Sequence, residues 1–143
     1  MNREDELNAA LELLHHAFRA VVAKPDRMLA RRGLGRVHHR ILYFVGRNPG
    51  CSVGRLLEIL GVSKQALNAP LRQLLAHSLI VAANAPADRR AKQLRLTEAG
   101  RRLERALSGE QRRRYQAVFG AVGPEKEAAW REIMGLLADR RFD

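Results

Sequence analysis

Apolar residues recur at three- and four-residue spacing along most of this chain, and one short stretch, residues 79–96, breaks that period. Spacing of three and four places side chains on one face of a helix. Leu79-Ile80-Val81 is instead a β-prone run. Lys92 to Leu96 alternates, with Leu94 and Leu96 on one side and Gln93 and Arg95 on the other. Asn84 to Ala87, which includes Pro86, reads as the turn between them. The fold is therefore mainly helical, with a single hairpin set between helices.

The helical segments can be delimited by their start and stop signals. Residues 5–23 carry Leu7, Ala10, Leu11, Leu14, Phe18, Val21 and Val22 on one stripe. Lys24-Pro25 should end that helix, because a residue preceding proline avoids the α region. A short segment at 26–32 is a second helical candidate, broken by Gly33 and Gly35. A buried helix is expected over 36–46, followed by an Asn48-Pro49-Gly50 turn. Ser52 caps a helix over 53–60, Gly61 suits a left-handed C-terminal position, and Ser63 caps a helix running to about His77. Its inward positions are Ala66, Leu67, Leu71, Leu74 and Leu75. Thr97 caps a long helix, and Pro124, after Gly123, opens a last one.

The charge is distributed unevenly. The formal net charge is +11. Residues 35–83 hold six basic side chains against one acidic, and residues 84–105 hold seven against three, while both ends are nearly neutral. Concentrated positive charge describes partners, and a phosphate-binding surface fits it best. A single cysteine, Cys51, rules out an intrachain disulfide and points to a reducing, cytoplasmic setting. No apolar run approaches the roughly 20 residues of a membrane span. The polar start is unlike a signal peptide. Adjacent histidines, as in His15-His16 and His38-His39, project about 100° apart on a helix and chelate poorly, so no metal site is expected. No nucleophile triad, phosphate loop or dinucleotide fingerprint is present. No cofactor and no enzymatic activity are expected.

Two helices joined by Gly61-Val62-Ser63 form a helix-turn-helix candidate. The second helix presents Ser63, Lys64, Gln65, Asn68 and Arg72 outside its core positions, and no acidic residue occurs from Val62 to Ala87. Ser and Lys hold phosphates, whereas Gln, Asn and Arg make paired hydrogen bonds to base edges. The hairpin adds Asp88, Arg89, Arg90, Lys92 and Arg95, a composition suited to a wing lying against the DNA backbone or in a minor groove. Within the second helix Pro70 removes a hydrogen bond and clashes with the carbonyl of Ala66, at about 3 kcal/mol if uncompensated. A kink there would turn Arg72 away from Lys64, Gln65 and Asn68.

The run Asp88-x-Arg90-x5-Leu96-Thr97, followed by Glu98 and Gly100, resembles the wing signature of the MarR family of regulators. Gly61-Val62-Ser63-Lys64-Gln65-Ala66-Leu67 is similar to that family's turn and recognition-helix start. The resemblance implies a winged helix-turn-helix of about six helices and a two-stranded wing. It implies a homodimer made through the N- and C-terminal helices and bound to a pseudo-palindromic double-stranded operator. Residues 34–99 would be the DNA-binding lobe of a single 1–143 domain, and 1–33 and 100–143 its dimerisation helices. Asp88 would orient Arg90 for insertion into a minor groove. Relatives often bind small anionic or phenolic effectors between the dimer helices and the DNA-binding lobe, for which Arg36, His38, His39 and Tyr43 are the candidates here. The expected function is a sequence-specific transcriptional regulator, a repressor released by an effector. The alternatives are a non-specific nucleic-acid binder or a protein adaptor using the same basic face.

Overall fold

The computed structural model describes residues 1–143, apart from the side chains of Asp88, Arg89 and Phe142. Helix α1 spans Arg3–Ala30, α2 Arg36–Arg47, α3 Val53–Leu60 and α4 Lys64–Ala76. Strands β1, Ile80–Ala85, and β2, Asp88–Leu96, form an antiparallel pair. They are followed by α5, Glu98–Val122, then α6, Pro124–Leu137, and a 3-10 turn over Arg140–Phe142. The chain divides within α5 into two compact units, Met1–Glu110 and Gln111–Asp143.

The caps lie close to where the sequence signals put them. Ser52 Oγ accepts from the Arg55 N–H at 3.0 Å, and Ser63 Oγ from the Ala66 N–H at 3.1 Å. Gly61, at φ +65°, ends α3 with its N–H on the Leu57 carbonyl at 2.8 Å. Such a conformation costs a side-chain-bearing residue about 1–2 kcal/mol, which explains the glycine. Helix α4 stops without one, as Ser78 takes φ +58° itself.

Three expectations are corrected. Helix α1 does not end at Pro25 but continues to Ala30, absorbing the segment at 26–32. Val22, Pro25 and Leu29 are its buried stripe, so the proline ring fills core space and the flanking turns hold the helix through the missing hydrogen bond. Ala66 faces solvent rather than the core. Asn84 and Ala85 belong to β1 rather than to the turn.

The core of the first unit joins Leu29, Leu34, Ile41, Leu42, Val45, Leu56, Leu67, Leu71, Leu74, Leu79, Ile80, Leu94, Leu96, Leu103 and Leu107. It therefore ties α3, α4 and the hairpin to one scaffold. The hairpin has a further partner, as Cys51 bridges Leu94, with Gly50 N–H to Leu94 O and Leu94 N–H to Cys51 O both at 2.8 Å. In the second unit Tyr115, Phe119 and Trp130 form an aromatic cluster with centroids 5.3–5.5 Å apart, Trp130 edge-to-face with both partners. No helix is long and apolar enough to cross a membrane among the described residues.

Candidate nucleic-acid interface

Helix α4 buries Leu67, Leu71 and Leu74 and exposes Lys64, Gln65, Asn68 and Arg72. At about 100° per residue, Gln65, Asn68 and Arg72 fall within one stripe about 60° wide, Gln65 and Arg72 roughly opposite the leucines and Asn68 on the flank. Among the described residues the side chains of Lys64, Gln65 and Asn68 have no intramolecular partner. Their donors and acceptors are thus offered outward, with nothing to break on binding. The Ser63 oxygen is used as the cap acceptor, which leaves its hydroxyl hydrogen to donate. Helix α4 is continuous through Pro70, and the leucines before and after it join the same core, so Arg72 stays on the stripe. Its Nε leans back onto the Asn68 carbonyl at 3.5 Å, at the outer limit of a hydrogen bond.

The hairpin register runs Ile80↔Leu96, Val81↔Arg95, Ala82↔Leu94, Ala83↔Gln93 and Asn84↔Lys92, then jumps to Ala85↔Asp88. That irregularity lifts residues 89–91 out of the ladder at the tip, which is where a bulge re-aims a side chain. Arg90 is exposed there. Lys92 is exposed and its Nζ donates to Asn84 Oδ1 at 2.5 Å across the strands. Arg95 is exposed at the root of the wing, its guanidinium lying over Gly50 in the α2–α3 turn. The expected roles of Asp88 and Arg89 fall on side chains outside the described residues.

The four residues suggested for an effector pocket all lie on α2, each with its own contacts. Arg36 pairs with Asp26 at 3.1 Å and stacks over the Phe18 ring at 5.4 Å. His38 is buried, taking the Gly35 N–H on Nδ1 at 2.9 Å and donating from Nε2 to Gln73 Oε1 at 2.6 Å. His39 is buried too. Ser108 gives its hydrogen to Glu104 Oε1 at 2.9 Å, so its oxygen accepts from His39 Nε2 at 3.0 Å. Burial pulls the His39 pKa below 6.5, against the attraction of Glu104 and Asp26. Tyr43 is half-buried, edge-on to Phe44. A separate open cleft of about 470 Å³ is lined by Met28, Arg31, Arg32, Ala99, Arg102, Leu103 and Ala106. The sequence reading missed this cleft, because its residues come from the end of α1 and the start of α5.

Burial also raises the Cys51 thiol pKa, which fits a structural residue rather than a reactive one. No cluster of metal-ligating side chains occurs among the described residues.

A family model described as MarR family matches residues 32–91, the segment that holds α2, α3, α4 and most of the hairpin. The HTH-type transcriptional regulator PetP of Rhodobacter capsulatus is 39% identical over 136 residues, covering 95% of this chain and 82% of that protein. The chain belongs to the MarR family. Solved MarR-type structures share its winged helix-turn-helix fold. The PcaV transcriptional regulator from Streptomyces coelicolor, solved in complex with its natural ligand, superimposes with a TM-score of 0.73 at 18% identity over 99% of this chain and 97% of that one. A MepR mutant from S. aureus, solved bound to an oligodeoxyribonucleotide, gives 0.64 at 17% identity over 90% and 94%. As a MarR-family member, this chain is a helix-turn-helix transcriptional regulator.

Proposed function

We propose that this regulator binds double-stranded DNA as a homodimer and represses transcription by occupying a two-fold operator. The observation that carries the reading is the outward stripe of α4. Lys64, Gln65, Asn68 and Arg72 are exposed on it, and no carboxylate stands between Val62 and Ala87. One α4 enters each major groove, with Gln65 and Asn68 on base edges and Ser63, Lys64 and Arg72 on the backbone. The wing, with Arg90 at its tip, Lys92 and Arg95, follows the flanking backbone and minor groove. Two copies of α4 related by a dyad would meet half-sites about 34–36 Å apart. MepR bound to an oligodeoxyribonucleotide supports DNA as the ligand of this fold.

Exposed apolar side chains support the dimer. Leu7, Leu11, Leu14 and Phe18 line the N-terminal part of α1, Tyr115, Val118 and Val122 the end of α5, and Ile133, Leu136 and Leu137 the outside of α6. Segments 1–33 and 100–143 are thus the dimerisation elements and 34–99 the DNA-binding lobe. PcaV, solved with its natural ligand, supports release by a small molecule. We place the protein in the cytoplasm, where a reduced Cys51 and an accessible operator agree.

The test is selection of duplexes from a random pool by the full chain, followed by titration at several salt concentrations. A recovered pseudo-palindrome, bound at least 1,000-fold more tightly than random duplex, is the expected result at physiological salt. Equal binding to every duplex, lost entirely as salt rises, would refute sequence-specific repression.

A further inference from the structure

Along the outward face of α4 a small apolar patch lies between Gln65 and Arg72, with Asn68 on its flank. Ala66 and Ala69 are exposed, and Pro70 beside them is only half-buried. At about 100° per residue Ala69 lies within roughly 20° of the direction opposite the buried leucines, one turn after Gln65 and one turn before Arg72 and Gln73. Gln73 is tied to His38, so what this turn offers a groove at its apex is methyl and methylene groups, with the Asn68 amide on the flank. Helix propensity does not account for it. A surface turn chosen for propensity would use Ala with Lys, Glu or Gln, whereas proline is the worst residue for a helix interior.

The dimensions supply a reason. A helix with its side chains is about 10–12 Å across, and the major groove is about 12 Å wide. A long side chain at the apex would hold the helix off the groove floor. Alanine at the apex lets the backbone approach, and brings Gln65 and Asn68 within reach of the bases.

Among groups displayed on the floor of the major groove, the apolar one is the C5-methyl of thymine. We propose that Ala69, flanked by Ala66 and Pro70, reads thymine methyl groups at the centre of each half-site. It is a specificity-determining contact, and it rests on the DNA-binding reading above. Gln65, one turn earlier, and Asn68, on the neighbouring flank, are each suited to paired hydrogen bonds with adenine. The half-site is accordingly A·T-rich where the middle of α4 meets it.

The experiment uses the full chain and its selected duplexes. Each thymine in a half-site is replaced singly by deoxyuridine, which removes the methyl and keeps the pairing. The expected result is one or two thymines per half-site at which the replacement weakens binding about fourfold, the worth of one buried methyl-sized group. In Ala69→Gly the same replacements should change affinity by less than about 1.5-fold, because their partner is gone. Should that variant fold poorly, the deoxyuridine series on the unmodified protein decides the matter. Preferential binding of a selected duplex with every thymine replaceable at no cost overturns the methyl contact and leaves the DNA-binding reading standing. Failure to select any preferred duplex overturns both.

Discussion

Gly100 stands one turn into α5, and a Cβ there would lie 1.9 Å from the carbonyl oxygen of Leu79 and 2.9 Å from its carbon. Contacts of that kind do not relax by turning a side chain, because the obstacle is backbone. That backbone is itself held. The Thr97 N–H donates to the Leu79 carbonyl at 3.1 Å, Thr97 Oγ1 donates to the Ser78 carbonyl at 2.6 Å, and the Gly100 N–H donates to Thr97 Oγ1 at 3.0 Å. Gly100→Ala must therefore move α5 away from the α4–β1 link by more than an ångström. Overpacking of this kind costs about 1–3 kcal/mol, and loss of the Thr97–Leu79 bond adds about 1. Alanine's better helix propensity returns up to about 1. The net expectation is a loss of about 1–3 kcal/mol, or roughly 2–12 °C in Tm for a chain of this size. Urea unfolding at fixed protein concentration reads it, with Gly54→Ala as the matched control. A Cβ at Gly54 meets only Ser52 Oγ, at 3.9 Å. If Gly100→Ala unfolds at the same urea concentration as the parent, the close approach of α5 to Leu79 is wrong. The consequence extends to DNA, because this junction anchors both the end of α4 and the root of β2.

Four further outcomes can be measured. Arg90→Ala should weaken binding to every duplex about equally and reduce the salt slope by about one, as read by fluorescence anisotropy across salt concentrations. Ser78→Gly should stabilise the chain by about 1 kcal/mol in urea unfolding, since serine now holds a left-handed conformation at φ +58°. Burial holds the His39 pKa below its unfolded value of 6.5, so the unfolded chain binds more protons than the folded one between the two. Stability should fall as pH drops through 6.5, and His39→Gln should remove that part of the dependence in parallel urea titrations. Leu11→Glu with Leu137→Glu, both at positions more than 60% exposed, should shift the sedimenting species to monomer and abolish operator binding.

Much of the lobe was legible because its signals are local. The caps at Ser52, Ser63 and Thr97, the left-handed Gly61 and the change from helical to alternating period each depend on residues within a few positions of one another. The outward stripe of α4 was legible for the same reason. The misreadings came where tertiary packing overrode a local rule. Pro25 argues against a continuous helix yet lies inside one, whereas α4 runs through Pro70 to Ala76, close to the end expected near His77. Pro25 is buried in the core beside Val22 and Leu29, and Pro70 sits between buried Leu67 and Leu71. The hydrophobic stripes on either side hold each helix against the lost hydrogen bond. The bridge from Cys51 to Leu94 spans more than forty residues and has no local signal. The cleft between the end of α1 and the start of α5 was equally invisible.

The wing signature shows how a motif recognised by resemblance can be given a physical reason. Leu96 is buried in the core next to β1's Ile80, Thr97 bonds two backbone groups of the α4–β1 link and caps α5, and Gly100 alone lets α5 pass the Leu79 carbonyl. Glu98, in the first turn of α5, accepts from Arg101 at 2.9 Å, which holds its carboxyl below the usual range; a negative charge there also suits the helix dipole. Leu96, Thr97 and Gly100 thus fix how the wing and α5 meet the end of α4. The α4 residues proposed to contact DNA are, by contrast, exposed and free of structural duty apart from Ser63. The half of the motif that builds the lobe therefore has little freedom to vary. The α4 stripe, including the alanines at its centre, is where a different operator would be written at least cost to stability.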